Sequence, residues 1–249
     1  MYKLAEHASE HATEIPCKHG RYLKWSSPEG PELWLLVNTD NNVIGMIPSF
    51  SGKSKFLTSI TGLVNLANDT AFEGCIHGWA NPTDEDPESG DYPFLFELIN
   101  KGEYDELEYP FTSEISLSAF AHEIHIYSSE SEFNSHKTEE PKFAAESFIP
   151  SGLFVEDDGE PAPYAIFTGR VIESSVQTNP LTHQTYHWAL VKTLGGEIDV
   201  LIDNTLVDKP IIEGGILTGS FWMNGKILTP KPAKKKNIFN VIFGGKSNK

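Results

Sequence analysis

Two short stretches of the chain share one pattern, Cys17-Lys18-His19-Gly20 and Cys75-Ile76-His77-Gly78. On extended backbone, residues i and i+2 lean to the same side, so each stretch offers a thiolate and an imidazole together. Two such pairs would complete a tetrahedral Cys₂His₂ zinc shell. The competing reading is plainer: structural zinc sites favour tighter knuckles such as Cys-x₂-Cys, and an isolated cysteine is most often a small buried hydrophobe. A second cluster, His122-Glu123-x-His125, sets acid/base groups beside apolar neighbours. It lacks the closing histidine of the His-Glu-x-x-His metalloprotease pattern, because position 126 is Ile, and a hydrogen-bonded structural histidine is its alternative. The third set is aromatic. Tyr186, Trp188 and Trp222 would line a ligand-binding barrel face or an inter-domain groove, unless they simply fill a core.

Other motifs fail on spacing. Ser51-Gly52-Lys53-Ser54 resembles the end of a phosphate-binding loop, whose backbone N–H groups and lysine surround phosphates. That loop needs a glycine five residues before its second one, and position 47 is Ile, so a connection between strands is expected. The acidic run Asp84 to Asp91 has Ser89 and Leu95 where a calcium loop needs Gly and Glu, which leaves a solvated loop. No Gly-x-Ser-x-Gly elbow and no Gly-x-Gly-x-x-Gly dinucleotide loop occurs.

The elements that must position these residues are mostly strands. Glu32 to Asn38 and Val43 to Ile47 flank the turn-forming Thr39-Asp40-Asn41-Asn42, a β-hairpin signal. Gly, Pro, Asn and Asp then recur too closely for long helices to run. Ile115 to Tyr127 fits both a strand and a helical stripe, and Ser129 with Glu132 forms a capping-box pair that starts a short helix. In the second half, Tyr164 to Glu173, Thr185 to Thr193, Glu197 to Asp203 and Ile216 to Met223 read as strands. Asn224-Gly225 reads as a tight turn into a fifth, Lys226 to Leu228. The expected fold class is mainly β, with an α+β first half as the alternative and a C-terminal five-stranded OB-like small barrel with few short helices. The expected organisation is a first domain over residues 1–145, the barrel over 146–230, and a basic, apolar tail over 231–249.

The 249 residues carry 19 Lys and Arg against 35 Asp and Glu, a formal net charge of −16. Lys231, Lys234, Lys235, Lys236, Lys246 and Lys249 all sit in the tail, so the rest is more acidic still. A nucleic-acid surface needs clustered cations to displace counterions from phosphates, so nucleic-acid binding by the body is not expected. No transmembrane segment is expected either, and two cysteines with no apolar leader point to a cytoplasmic protein. The tail would dock on its own body, on a partner, or weakly on a membrane surface. The expected function is a non-catalytic binding or interaction protein with a protein or small-molecule partner and no cofactor. The alternative is a metal-binding protein or metal-dependent enzyme, with zinc held by Cys17, His19, Cys75 and His77, or one using the His122 cluster.

Overall fold

The computed structural model describes residues 2–64, 69–83, 86–104, 107–135, 144–154 and 160–228, without the side chains of Tyr2 and Lys3. The expectations for the tail at 231–249 lie outside the described residues. Helix α1 (Tyr2–Glu10) is followed by β1 (Thr13–Cys17), β2 (Gly20–Ser26), β3 (Pro31–Asn38) and β4 (Val43–Phe50), an antiparallel meander in that order. Its last turn is closed by Asn38, whose Oδ1 accepts from the N–H groups of Asp40 and Asn42 at 3.0 and 2.9 Å. Strand β3 is buried on both faces: Leu33 and Leu35 pack with Ala8 of α1, while Trp34 and Leu36 pack with Tyr22, Phe72 and Ile99. The continuous apolar run Leu33 to Val37 follows from that double burial.

A nine-stranded sheet takes the rest: β5 (Phe56–Val64), β6 (Cys75–Ala80), β7 (Pro93–Leu98), β8 (Phe111–Tyr127), β9 (Ser147–Ile149), β10 (Tyr164–Thr178), β11 (Thr185–Thr193), β12 (Gly196–Asp203) and β13 (Ile216–Ile227). The mainly β fold class is therefore observed. Two extra pairings, β11 with β10 and β8 with β13, close the strands β10, β11, β12, β8 and β13 into a ring. The large sheet takes strands from both sides of residue 145. The ring is filled by alternate residues, Ile115, Leu117 and Ala119 of β8 meeting Phe167, Val200, Leu217, Phe221 and Met223, with Phe167 stacked on Phe221 at 3.9 Å. The segment that periodicity left open, 115–127, is strand throughout. Ser129 caps α2 (Glu130–Ser135) as expected, its Oγ accepting from Glu132 N at 3.1 Å, while the Glu132 carboxylate reaches one residue further back and accepts from Ser128 N at 2.7 Å.

One expectation is corrected. Asn224-Gly225 is not a turn, because β13 runs straight through it, paired with β8 on one side and β7 on the other. The glycine serves close approach instead: a Cβ at Gly225 would lie 2.8 Å from Ser116 O and 3.0 Å from the side chains of Leu117 and Phe96. Residues 226–228 therefore form no separate strand, and the fifth place in the ring belongs to β8.

Candidate functional site

The β10–β11 hairpin stays paired out to Thr178 and Thr185, and its tip is folded by Asn179, whose Oδ1 accepts from Leu181 N and Thr182 N at 2.9 and 3.2 Å. Leu181 then packs with the cluster of Leu33 and Leu35, so the arm leans on the meander. Between them lies a groove of about 300 Å³, with apolar walls from Pro48, Phe50, Phe120, Tyr186 and Leu201 and a polar rim from Asn179, Thr182, Gln184, Thr185 and Asp203. Among the described residues no Lys or Arg lines it. Tyr186, one of the three aromatic candidates, stands edge-on to Phe50 at 6.4 Å with its hydroxyl bonded to Gln177, and burial beside Glu29 pushes that hydroxyl up to about 12. Ser49 also faces the groove. It is 5% exposed, and its Oγ has no hydrogen-bond partner among the described residues. The Oγ itself is shut off from solvent, and an unpaired buried hydroxyl costs about 1–3 kcal/mol, which a ligand that reached it would recover.

Glu32 forms part of the same lining and is held by three donors: Trp34 Nε1 at 2.9 Å, Lys226 Nζ at 2.8 Å and Lys24 Nζ at 2.8 Å. Burial pushes its carboxyl up, but the Lys226 charge and the three hydrogen bonds outweigh that and hold it below the usual range. The acid is thus ionised and already neutralised. Asn224 Nδ2 donates to Pro48 O at 3.2 Å and Ser118 Oγ to Phe50 O at 3.3 Å, so β13 and β8 grip the meander at the groove floor.

Trp188 packs beneath this site, not in it. It is 4% exposed among Phe50, Leu190 and Leu201, and its Nε1 donates to Asp199 at 2.8 Å. Asp199 is fully buried and also accepts from Lys53 N and Ser54 N at 3.0 and 2.9 Å. The Ser51–Ser54 stretch is a connection between β4 and β5, as expected, and its backbone N–H groups do hold an anion: the protein's own carboxylate.

Two more candidates meet elsewhere. Ala121 pairs with Phe221 and Glu123 with Ser220, so His122 is the extra residue of a β-bulge. Its ring lies 5.5 Å from Tyr164, which meets Trp222 edge-on at 4.9 Å, beside a depression of about 440 Å³ that His122 and Tyr164 line. Trp222 Nε1 donates to Glu97 at 3.0 Å, and burial, with Glu73 and Asp69 nearby, raises that carboxyl despite the bond. Glu123 and His125 face each other at 3.6 Å, 71% and 62% exposed, a surface contact worth little.

The Cys-x-His pairs are not brought together. Among the described residues no group of three or more His, Cys, Asp or Glu is placed to hold a metal ion. Cys17 packs against the Tyr22 and Phe72 cluster, and His19 sits in the turn between β1 and β2. Cys75 is buried on β6 opposite Glu97, and His77 Nδ1 is taken by Thr61 Oγ1 at 2.7 Å. Burial, reinforced by Glu97 and Asp69, pushes the Cys75 thiol up to about 12. At pH 8 its thiolate fraction is therefore expected to be roughly a thousandfold below that of a free cysteine at pKa ~8.5. A Cys17→Ser variant should react with a disulfide reagent only on unfolding; prompt reaction of the folded variant would contradict this environment.

Neither Ser49 nor the walls at Phe50, Phe120 and Asp203 were candidates on sequence grounds, since serine and aromatic residues in strands carry no local signal for a groove. Compared with protein-family models, curated proteins and solved structures, the chain matches none. Among the described residues no helix is long and apolar enough to cross a membrane.

Proposed function

We propose that this chain is a non-catalytic binding protein that takes a small, uncharged ligand in the groove between the meander and the ring. The observation that carries the reading is the groove of about 300 Å³ walled by Phe50, Phe120, Tyr186 and Leu201, whose lining includes Ser49, a buried hydroxyl without a partner among the described residues. Concave, mostly apolar sites with a few placed polar groups are the usual form of small-molecule sites. The charge of the ligand follows from the lining. With no Lys or Arg in the lining among the described residues, a phosphate or nucleic acid finds no counter-charge there, and Glu32 is already neutralised by Lys226 and Lys24. A ligand with one flat apolar face and hydroxyl or amide groups on its edge suits the aromatic walls and the Asn179, Thr182 and Gln184 rim. The reading also draws on the strand order. A meander β10–β11–β12, joined in parallel to β8 and closed through β13, is the pairing of an OB-like barrel, whose second and third strands form a ligand face in other proteins; that is analogy alone. The unlinked cysteines suit a reducing, cytoplasmic setting.

The test is a screen of neutral saccharides, nucleosides and amphiphiles by protein-observed NMR, followed by titration of Ser49→Ala and Tyr186→Ala. Ser49→Ala should leave stability unchanged or raised, because it deletes an unpaired group, and should weaken binding about tenfold through a lost hydrogen bond. Tyr186→Ala should weaken it further. Shifts away from Phe50 and Tyr186, or affinities indifferent to both substitutions, would sink the proposal.

A further inference from the structure

A second cleft lies where the described chain ends. Leu63, Leu98, Tyr104, Leu107 and Tyr109, with the stem of Lys101, line a cleft of about 140 Å³. Tyr109 is 37% exposed and stacks on Phe111 at 6.1 Å, so the mouth of the cleft is an apolar shelf open to solvent. The wall residue Tyr104 donates to Ile227 O at 3.4 Å, which fixes the end of β13 against the cleft, and Leu228 follows at 47% exposure. Beyond it the sequence runs through Lys234-Lys235-Lys236 into Ile238-Phe239-Asn240-Val241-Ile242-Phe243.

We propose that this cleft is the docking site of the chain's own C-terminal apolar segment, residues 238–243, bound in cis. Three observations select this occupant. The connection is long enough, since the roughly ten residues after Leu228 span up to ~33 Å when extended, and the cleft begins beside Ile227. The chemistry matches, because five apolar side chains in six positions meet a shelf of Leu and Tyr. The surrounding charge is complementary: the Lys101 amine in the lining is engaged by Glu73 O, Glu103 and Glu108 border the cleft residues in sequence, and the lysine run directly precedes the apolar segment. Left uncovered, so apolar and β-branched a segment is an aggregation liability, which docking in cis removes.

The test uses the full chain with a photo-crosslinking amino acid in place of Phe239, irradiated at low micromolar concentration and mapped by mass spectrometry. The expected product is an intrachain link to the peptide that contains Tyr104 to Tyr109. A Tyr109→Ser variant should lower that link about tenfold, equivalent to ~1.4 kcal/mol of lost contact, while circular dichroism shows the fold intact. Links between chains that rise with concentration would make a second copy the occupant and overturn the proposal. Intrachain links elsewhere, or a cleft link indifferent to Tyr109→Ser, would overturn it as well, as would links that form only when anionic vesicles are added.

Discussion

Asp199→Ala should lower the unfolding free energy by about 4 kcal/mol, measured by urea denaturation, a loss matched outside the apolar core only by that expected at Glu32. Three donors converge on this carboxylate: Lys53 N and Trp188 Nε1 on Oδ1, and Ser54 N on Oδ2. Each buried donor left without an acceptor costs about 1–3 kcal/mol, and domain stabilities are only about 5–15 kcal/mol in total. The geometry also ranks the conservative variants. Asp199→Asn keeps an acceptor at the Oδ1 position for two donors and turns an amine toward Ser54 N alone, so it should cost about half as much. Gly52→Ala should be damaging from the opposite side, because its Cβ would fall 2.1 Å from Asp199 Oδ1. A loss under about 1 kcal/mol for Asp199→Ala would mean that water replaces the carboxylate and that the loop is held by something else. The loop joins the meander to β5, and Asp199 ties it to β12 of the ring, so its loosening would also widen the groove.

Much of the strand content is legible in the sequence because it is written locally. Asn38 to Asn42 carries its own turn chemistry, and Ser129 with Glu132 carries its own cap. In β8 the run Ser113-Glu-Ile-Ser-Leu-Ser-Ala119 alternates, but 115–127 fits a helical stripe as well, and only the pairing that buries Ile115, Leu117 and Ala119 in the ring decides for strand. The serines of that run are less legible. Ser118 reads as a solvent-facing residue, yet it is buried against Phe50 of the meander. Asn224-Gly225 misleads for the same reason: the pair has strong turn propensity, but the crowding of β13 between β7 and β8 overrides it. The groove itself could not be read, since its walls come from β4, β8, β11 and β12, and since Ser49 has no partner among the described residues only because of how those strands pack. Of the aromatic candidates, Tyr186 lines the groove, Trp188 supports it from the core, and Trp222 joins His122 in a different place. Only three-dimensional pairing separates these roles.

Glu32→Ala should lose about 3–5 kcal/mol, the cost of leaving one half of a buried ion pair behind. The two partners are 194 residues apart in sequence, and the Lys226 amine has Glu32 as its hydrogen-bonding acceptor, with side-chain exposures of 10% and 2%. Lys226→Met should cost less, because Glu32 retains Lys24 and Trp34 as donors. The double variant Glu32→Leu, Lys226→Met should recover much of the loss, since well-packed apolar groups often replace buried pairs at little cost. The pH dependence has a definite sign. The folded carboxyl lies below its ordinary value, so the folded state binds the proton less readily than the unfolded chain. The stabilisation is present in full above the unfolded value near ~4.3 and is lost as pH falls through the lower folded value. The wild-type protein should therefore lose stability with acid more steeply in that window than the double variant does. Parallel pH profiles would show that Glu32 is not held as an ion. Because Glu32 also lines the groove, the double variant tests function too: it should fold, keep Ser49 in place, and bind the ligand at an affinity changed by the loss of the pair from the lining. Unfolding of both single variants, with rescue in the double, would tie the stability of the meander to the ion pair across the two sheets.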